Sequence, residues 1–176
     1  MSGHSKWSQI KRKKGVADTK RGALFSKLGN RITVESRKVD GDTSAPSLRM
    51  VIEQAQSAHM PKENIERAVS RGKGVNALSL ETLTYEFYGP GGAACIIEAI
   101  SDNRNRTYQE LRHELGARGY SILSPGGALW AFRKKDNGWE AVSQVTLSEE
   151  DGKLLSEIIE DLEERDDVEE VYTNAE

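Results

Sequence analysis

Apolar positions recur with helical spacing through the first part of the chain. From Asp18 onward Leu24, Leu28 and Ile32 fall at i, i+4 and i+8, with Phe25 beside them. Asp40, Gly41 and Asp42 end that helix. A second is expected from Pro46, a residue suited to a first helical turn, with Leu48, Val51, Ile52 and Ala55 on one face. A third opens at Pro61 and carries Ile65, Ala68 and Val69 before Gly72 stops it. Three short amphipathic helices with brief joins make a small bundle. GKGVNALS then reads as a linker.

The pattern changes further along. TYEFY (84–88) and ACIIEAI (94–100) read as strands joined by a Gly-Pro-Gly-Gly hairpin turn. Thr107 and Glu110 have the spacing of a capping box, opening a helix through Leu111 and Leu115 to Gly119. Tyr120–Leu123, ALWAF (128–132) and Val142–Leu147 read as further strands. Ser148 with Asp151 caps a helix that turns Leu154, Leu155, Ile158, Ile159 and Leu162 inward, and VEEVYT (168–173) closes the chain as a strand. The expected class is α+β: an N-terminal three-helix bundle followed by an α/β domain with a mainly antiparallel sheet. The boundaries that follow are a basic helical domain over 1–73, a linker over 74–80 and the α+β domain over 81–176.

Charge sharpens this outline. The 176 residues carry a net charge of −3. Residues 1–39 hold eleven Lys/Arg against Asp18 and Glu35, while residues 140–176 hold fourteen acids against Lys153 and Arg165. A head of +9 and a tail of −12 sit inside that nearly neutral total. Such asymmetry points to a polyanion partner for the head. In the head, Trp7 stands amid Lys6, Lys11, Arg12, Lys13 and Lys14; the lysines and arginines suit phosphates, and the ring suits either base stacking or anchorage on the bundle. Lys20, Arg21, Lys27 and Arg31 extend the basic patch along the first helix, around the side away from its apolar face. The acidic tail reads as the wet face of a packed helix, or as a competitor that folds against the head.

The glycine turns invite a nucleotide-binding reading, which the spacing rejects. Neither PGGAA nor PGGAL leads into Lys-Ser/Thr, and Gly89 and Gly91 are followed by Ala94 where a dinucleotide fingerprint needs glycine. His4, His59, His113 and Cys95 show no metal-ligand spacing, and no nucleophile motif occurs. Cys95, the single cysteine, sits among Ala94, Ile96 and Ile97 as a buried strand thiol. No catalytic residue, cofactor, metal or small-molecule substrate is expected. No apolar run approaches the ~18 residues of a membrane span, and the basic N-terminus lacks the apolar region of a secretory leader. A cytoplasmic protein without a membrane partner is the expectation.

DNRNRT is different. Arg104 and Arg106 flank Asn105 ahead of an expected helix N-terminus, where free amides favour an anion. Phosphate contact and structural ion pairing both fit this spacing.

GHSKW, IKRKKGVADTKRGALFSKL, MPKENIERA, YGPGG, DNRNRT and the terminal VYTN, in this order and spanning nearly the whole chain, resemble the YebC/PmpR family. The resemblance implies a helical N-terminal domain with α/β domains behind it. It implies contact between the basic head and nucleic acid, by a regulator of transcription that binds DNA. The family also includes ribosome-associated translation factors and a mitochondrial translational activator, so ribosomal RNA, tRNA and the ribosome are alternative partners. An adaptor that docks proteins through its charged ends is a third reading. Family members usually carry an additional α/β domain before the closing helix and VYTN; here FRKKDNGWEAVSQVTLSEED runs almost directly across, with the join near 137–140. Without a base-reading motif, the residues favour backbone affinity over sequence specificity.

Overall fold

The computed structural model describes residues 18–74, 79–136 and 138–176. Two compact units divide them. One holds the helices through Leu83 together with Ile100–Arg104, and the other holds Thr84–Ala99 and Asn105–Glu176.

The helical unit is built from α1 (Asp18–Lys38), α2 (Pro46–Ser57) and α3 (Lys62–Gly72). Leu28 and Ile32 of α1 meet Leu48, Val51 and Ala55 of α2 and Ile65, Ala68 and Val69 of α3, with Met60 closing the cluster. Leu24 is instead exposed. Small and hydroxyl-bearing residues add to the apolar contacts between α1 and α3. The buried Thr33 hydroxyl donates to the carbonyls of Gly29 (2.8 Å) and Ala68 (3.1 Å), and that of Ser36 to the carbonyl of Val69 (2.7 Å). A Cβ on Gly72 would stand 2.5 Å from the Thr33 carbonyl oxygen and 2.6 Å from Ser36 Cβ, so only glycine lets the backbones come this close. Asp40 (φ 48°) and Gly41 (φ 75°) turn the chain out of α1 through left-handed backbone.

The second unit is α+β. Strands β1 (Glu81–Tyr88), β2 (Ala94–Ser101) and β5 (Val168–Thr173) form a sheet of order β1-β2-β5; β3 (Phe132–Lys135) and β4 (Gly138–Ala141) form a separate antiparallel pair. The β2–β5 pairing is antiparallel, with Ile96 opposite Tyr172 and Ile97 opposite Val171. Central β2 is buried on both sides, which explains its nearly continuous apolar run. Alternate residues serve opposite layers. Cys95 and Ile97 face α4 (Arg104–Ala117) and α5 (Glu149–Glu163), packing with Leu111, Leu115, Leu155, Ile158 and Leu162. Ala94 and Ile96 face Ala128, Ala131 and Phe132. Burial pushes the Cys95 thiol up to about 12, against the smaller opposing effect of hydrogen bonding with Thr173 and Gly89, so the thiol is held neutral.

The turn between β1 and β2 is a short 3-10 segment (Pro90–Gly92), closed by Gly89 N–H donating to the Ala93 carbonyl at 2.8 Å. Gly91 (φ 63°) would bring a Cβ to 2.6 Å from Leu147, so the glycine serves packing. Asn174 of the VYTN motif is also structural. Its side-chain oxygen accepts from Ala94 N–H at 2.8 Å, tying the end of the chain to the start of β2.

Five local expectations are corrected. Tyr120–Leu123 forms no strand and contributes one bridge, Ile122 with Phe87. Leu154 of α5, expected inward, is exposed. ALWAF is a 3-10 turn (Leu129–Ala131) followed by β3, because the backbone there is held by a side chain rather than by a strand partner. Val142–Leu147 forms no named strand and contributes one bridge, Val145 with Ala175. Thr107 and Glu110 do not form a capping box, since α4 begins three residues earlier, at Arg104. Thr107 is buried and its hydroxyl donates to Asp167 (2.9 Å), while Glu110 pairs with Arg165. The Ser148 cap forms as the spacing predicts, its hydroxyl oxygen accepting from Asp151 N–H at 3.1 Å.

Candidate nucleic-acid interface

Lys6, Trp7, Lys11, Arg12, Lys13 and Lys14 lie outside the described residues. The rest of the expected patch begins on α1. Lys20 and Arg21 occupy its first turn, and Arg21 is exposed. Helical spacing puts Arg21 on the stripe of Phe25, Leu28 and Ile32. Lys27 and Arg31, one turn apart, are half-buried and share a different face. The four cations therefore do not form a single row.

The bundle adds cations that pattern reading passed over. Arg67 and Arg71 are exposed on α3, also one turn apart. The Arg71 guanidinium reaches back to α1, 3.3 Å from where a Cβ on Gly29 would stand. Nothing in the sequence marks this, because the missing Cβ on Gly29 matters only once α1 and α3 are packed.

Arg104 and Arg106 fall in the first turn of α4 rather than ahead of it. Arg104 donates to Glu81 at 3.0 Å, so the ion-pairing reading of this arginine describes a contact that exists. Both partners are largely exposed, and such pairs contribute about 0–1 kcal/mol. Arg106 is exposed, and Asn103 N–H donates to the Ser101 hydroxyl at 3.0 Å, fixing the turn into the helix.

In the α+β unit several charges are paired among themselves. Arg165 bonds Glu110, Glu114 (3.5 Å) and Asp167 (3.2 Å). Partial burial opposes its charge, yet Asp167 and Glu110 outweigh that and hold its pKa above the ordinary value. Arg118 pairs with Asp161, Lys134 with Glu98 (2.5 Å) and Lys135 with Glu140 (3.1 Å). Glu86, almost fully buried, accepts from the backbone N–H groups of Gly126 (2.7 Å), Ala128 (2.6 Å) and Leu129 (2.8 Å). That carboxylate shapes the loop that presents Trp130, which is 59% exposed and bonds through its indole N–H to Tyr88 at 2.9 Å. Among the described residues no group of His, Cys, Asp and Glu could hold a metal ion, and no helix is long and apolar enough to cross a membrane.

A basic helical bundle followed along the chain by an α+β unit defines a class for which known proteins give a match. Residues 5–75 match the family model described as the TACO1/YebC protein N-terminal domain, and residues 80–137 match that of the TACO1/YebC second and third domain. A "Probable transcriptional regulatory protein" of Chloroherpeton thalassium is 47% identical over 171 residues, covering 95% of this chain and 68% of the relative. The "Probable transcriptional regulatory protein CT1665" of Chlorobaculum tepidum is 45% identical over 171 residues, covering 95% and 67%. Among solved structures, the conserved hypothetical protein Aq1575 of Aquifex aeolicus is 30% identical, with a TM-score of 0.88 over 98% of this chain and 97% of that one. The chain belongs to the TACO1/YebC family.

Proposed function

We infer that this chain is a non-enzymatic, cytoplasmic nucleic-acid-binding regulator of gene expression, acting on transcription as its relatives' names suggest. The observation that carries this reading is the charge separation, +9 in residues 1–39 against −12 in residues 140–176. Phosphate neutralisation with counterion release is the chemistry such a head performs best. The basic segment with Lys6, Trp7, Lys11, Arg12, Lys13 and Lys14 makes first contact. Lys20, Arg21, Lys27 and Arg31 extend the contact, and Arg104 and Arg106 offer guanidiniums to a backbone phosphate. The join at 137–140 takes the place of a further domain; in support, the model for the second and third domains matches only to residue 137.

A second reading, a translation factor on ribosomal RNA or tRNA, is favoured by the lack of any base-reading motif. Crosslinking in cells, with sequencing of both bound DNA and bound RNA, decides between them. Discrete promoter sites without ribosomal RNA support the regulator of transcription. Ribosomal RNA or tRNA without promoter sites overturns it in favour of the translation factor. Recovery of neither nucleic acid overturns both.

A further inference from the structure

Helix α4 has two sides of unlike chemistry. Thr107, Leu111 and Leu115 are buried on one. The opposite side carries Gln109, Arg112 and His113, all exposed, with Gly116 and Ala117 following. Helical spacing puts Arg106 on this same outward side, three residues before Gln109. The side chains of Gln109, Arg112 and His113 make no hydrogen bond or ion pair among the described residues. With Gly116 and Ala117 they line a shallow depression of about 360 Å³. A Cβ on Gly116 would meet nothing within 4 Å, so its backbone is open to a close approach.

The acids of α4 do not line this depression, but Glu110 and Glu114 border a second one that shares Gln109, His113 and Ala117. Glu110 and Glu114 lie on a flank, where Arg165 engages both, and Asp161 is engaged by Arg118. A depression lined by a guanidinium, an amide and an imidazole, with the neighbouring carboxylates of α4 engaged by Arg165, supplies hydrogen-bond donors to an anion. The face also lacks a large apolar anchor. Tyr108, the nearest exposed ring, is set against Tyr85 with centroids 6.2 Å apart. Protein interfaces draw their binding energy from such anchors, so a peptide fits this face poorly. A phosphate backbone needs only donors and room to approach.

We propose that the outward face of α4 (Gln109, Arg112 and His113 above the Gly116–Ala117 depression) is a second contact surface for the phosphate backbone of a nucleic acid. It rests on the nucleic-acid reading above and extends it to residues outside the basic head and the DNRNRT turn.

The test uses the full chain with mixed-sequence duplex DNA and a folded RNA as probes, titrated across a range of salt. Each phosphate contact contributes about 0.9 to the slope of log affinity against log salt for a duplex and about 0.7 for a single strand. Arg112→Gln with His113→Gln is expected to lower the slope by about one on at least one probe, with a uniform loss across sequences. Arg112→Lys alone, which keeps the charge, is expected to retain the slope. Both positions are exposed, and a far-ultraviolet spectrum checks that the variants fold. If the unmodified chain binds and the double variant leaves affinity and slope unchanged, this surface is overturned and the wider reading stands. If the unmodified chain binds neither probe, the wider reading and this surface fall together. A photoreactive residue at Gln109 is expected to crosslink to the bound nucleic acid; crosslinks to protein alone would overturn the proposal.

Discussion

In the helical bundle, hydroxyls of Thr33 and Ser36 on α1 bond the backbone of Ala68 and Val69 on α3, and Gly72 lets the two helices close up. The α+β unit layers large apolar side chains on a fully buried strand. Both units pair some charges internally, the bundle through Lys38 with Glu35, Arg49 with Glu53 and Lys62 with Glu66. Each leaves exposed cations without an acid among the described residues. The α+β unit pairs Arg165, Arg118, Lys134 and Lys135 with its own acids. On α3 of the bundle, Arg67 and Arg71 are exposed and have no ion pair among the described residues. The contrast teaches where to look for a polyanion. Self-paired charges hold a fold together, while cations without an internal acid are available to a partner.

The sharpest way to break this comparison is to damage each packing scheme in its own manner. Leu162→Ala opens a cavity in the layered core and should cost about 2–5 kcal/mol, read from the midpoint of a urea transition. Gly72→Ala adds a single carbon to the bundle seam, yet it should cost about 1–3 kcal/mol through collision with Thr33 and Ser36. A neutral result at Gly72 would mean that α1 and α3 are not held as close as their hydrogen bonds require. Glu86→Ala removes the acceptor for three N–H groups and leaves that of buried Ala128 without its partner. The expected loss is about 1–3 kcal/mol, with a changed Trp130 emission as the loop relaxes. Arg165→Met strands Glu110, Glu114 and Asp167 around a neutral side chain. Because the site is partly solvated, the cost should be about 1–2 kcal/mol, below the 3–5 kcal/mol of a fully buried pair.

These same residues mark how far the sequence could be read. The three bundle helices, β1, β2 and the Ser148 cap follow from spacing and local chemistry, which need no knowledge of distant partners. The failures are tertiary. Thr107 and Glu110 have capping-box spacing, but their partners are Asp167 and Arg165, some sixty and fifty-five positions away. The 128–132 run is apolar enough for a strand, yet Glu86, a residue of β1, claims its backbone N–H groups. Val142–Leu147 alternates like a strand but finds only Ala175 as a bridge partner. For the candidate site, the pattern groups Lys20, Arg21, Lys27 and Arg31 on one side of α1, whereas helical spacing sets Arg21 on the apolar stripe. Arg71 was not legible, because only packing brings its guanidinium against Gly29.

The central claim is that the basic head neutralises phosphates, and it is tested most directly by neutralising Lys11, Arg12, Lys13 and Lys14 together. Binding of the full chain and of this variant to duplex DNA and to a folded RNA is measured over a range of salt concentrations. At about 0.9 per duplex phosphate contact, the account predicts that the slope falls by up to about 3–4, with loss of affinity on every sequence tried. A variant that binds with an unchanged slope would contradict it.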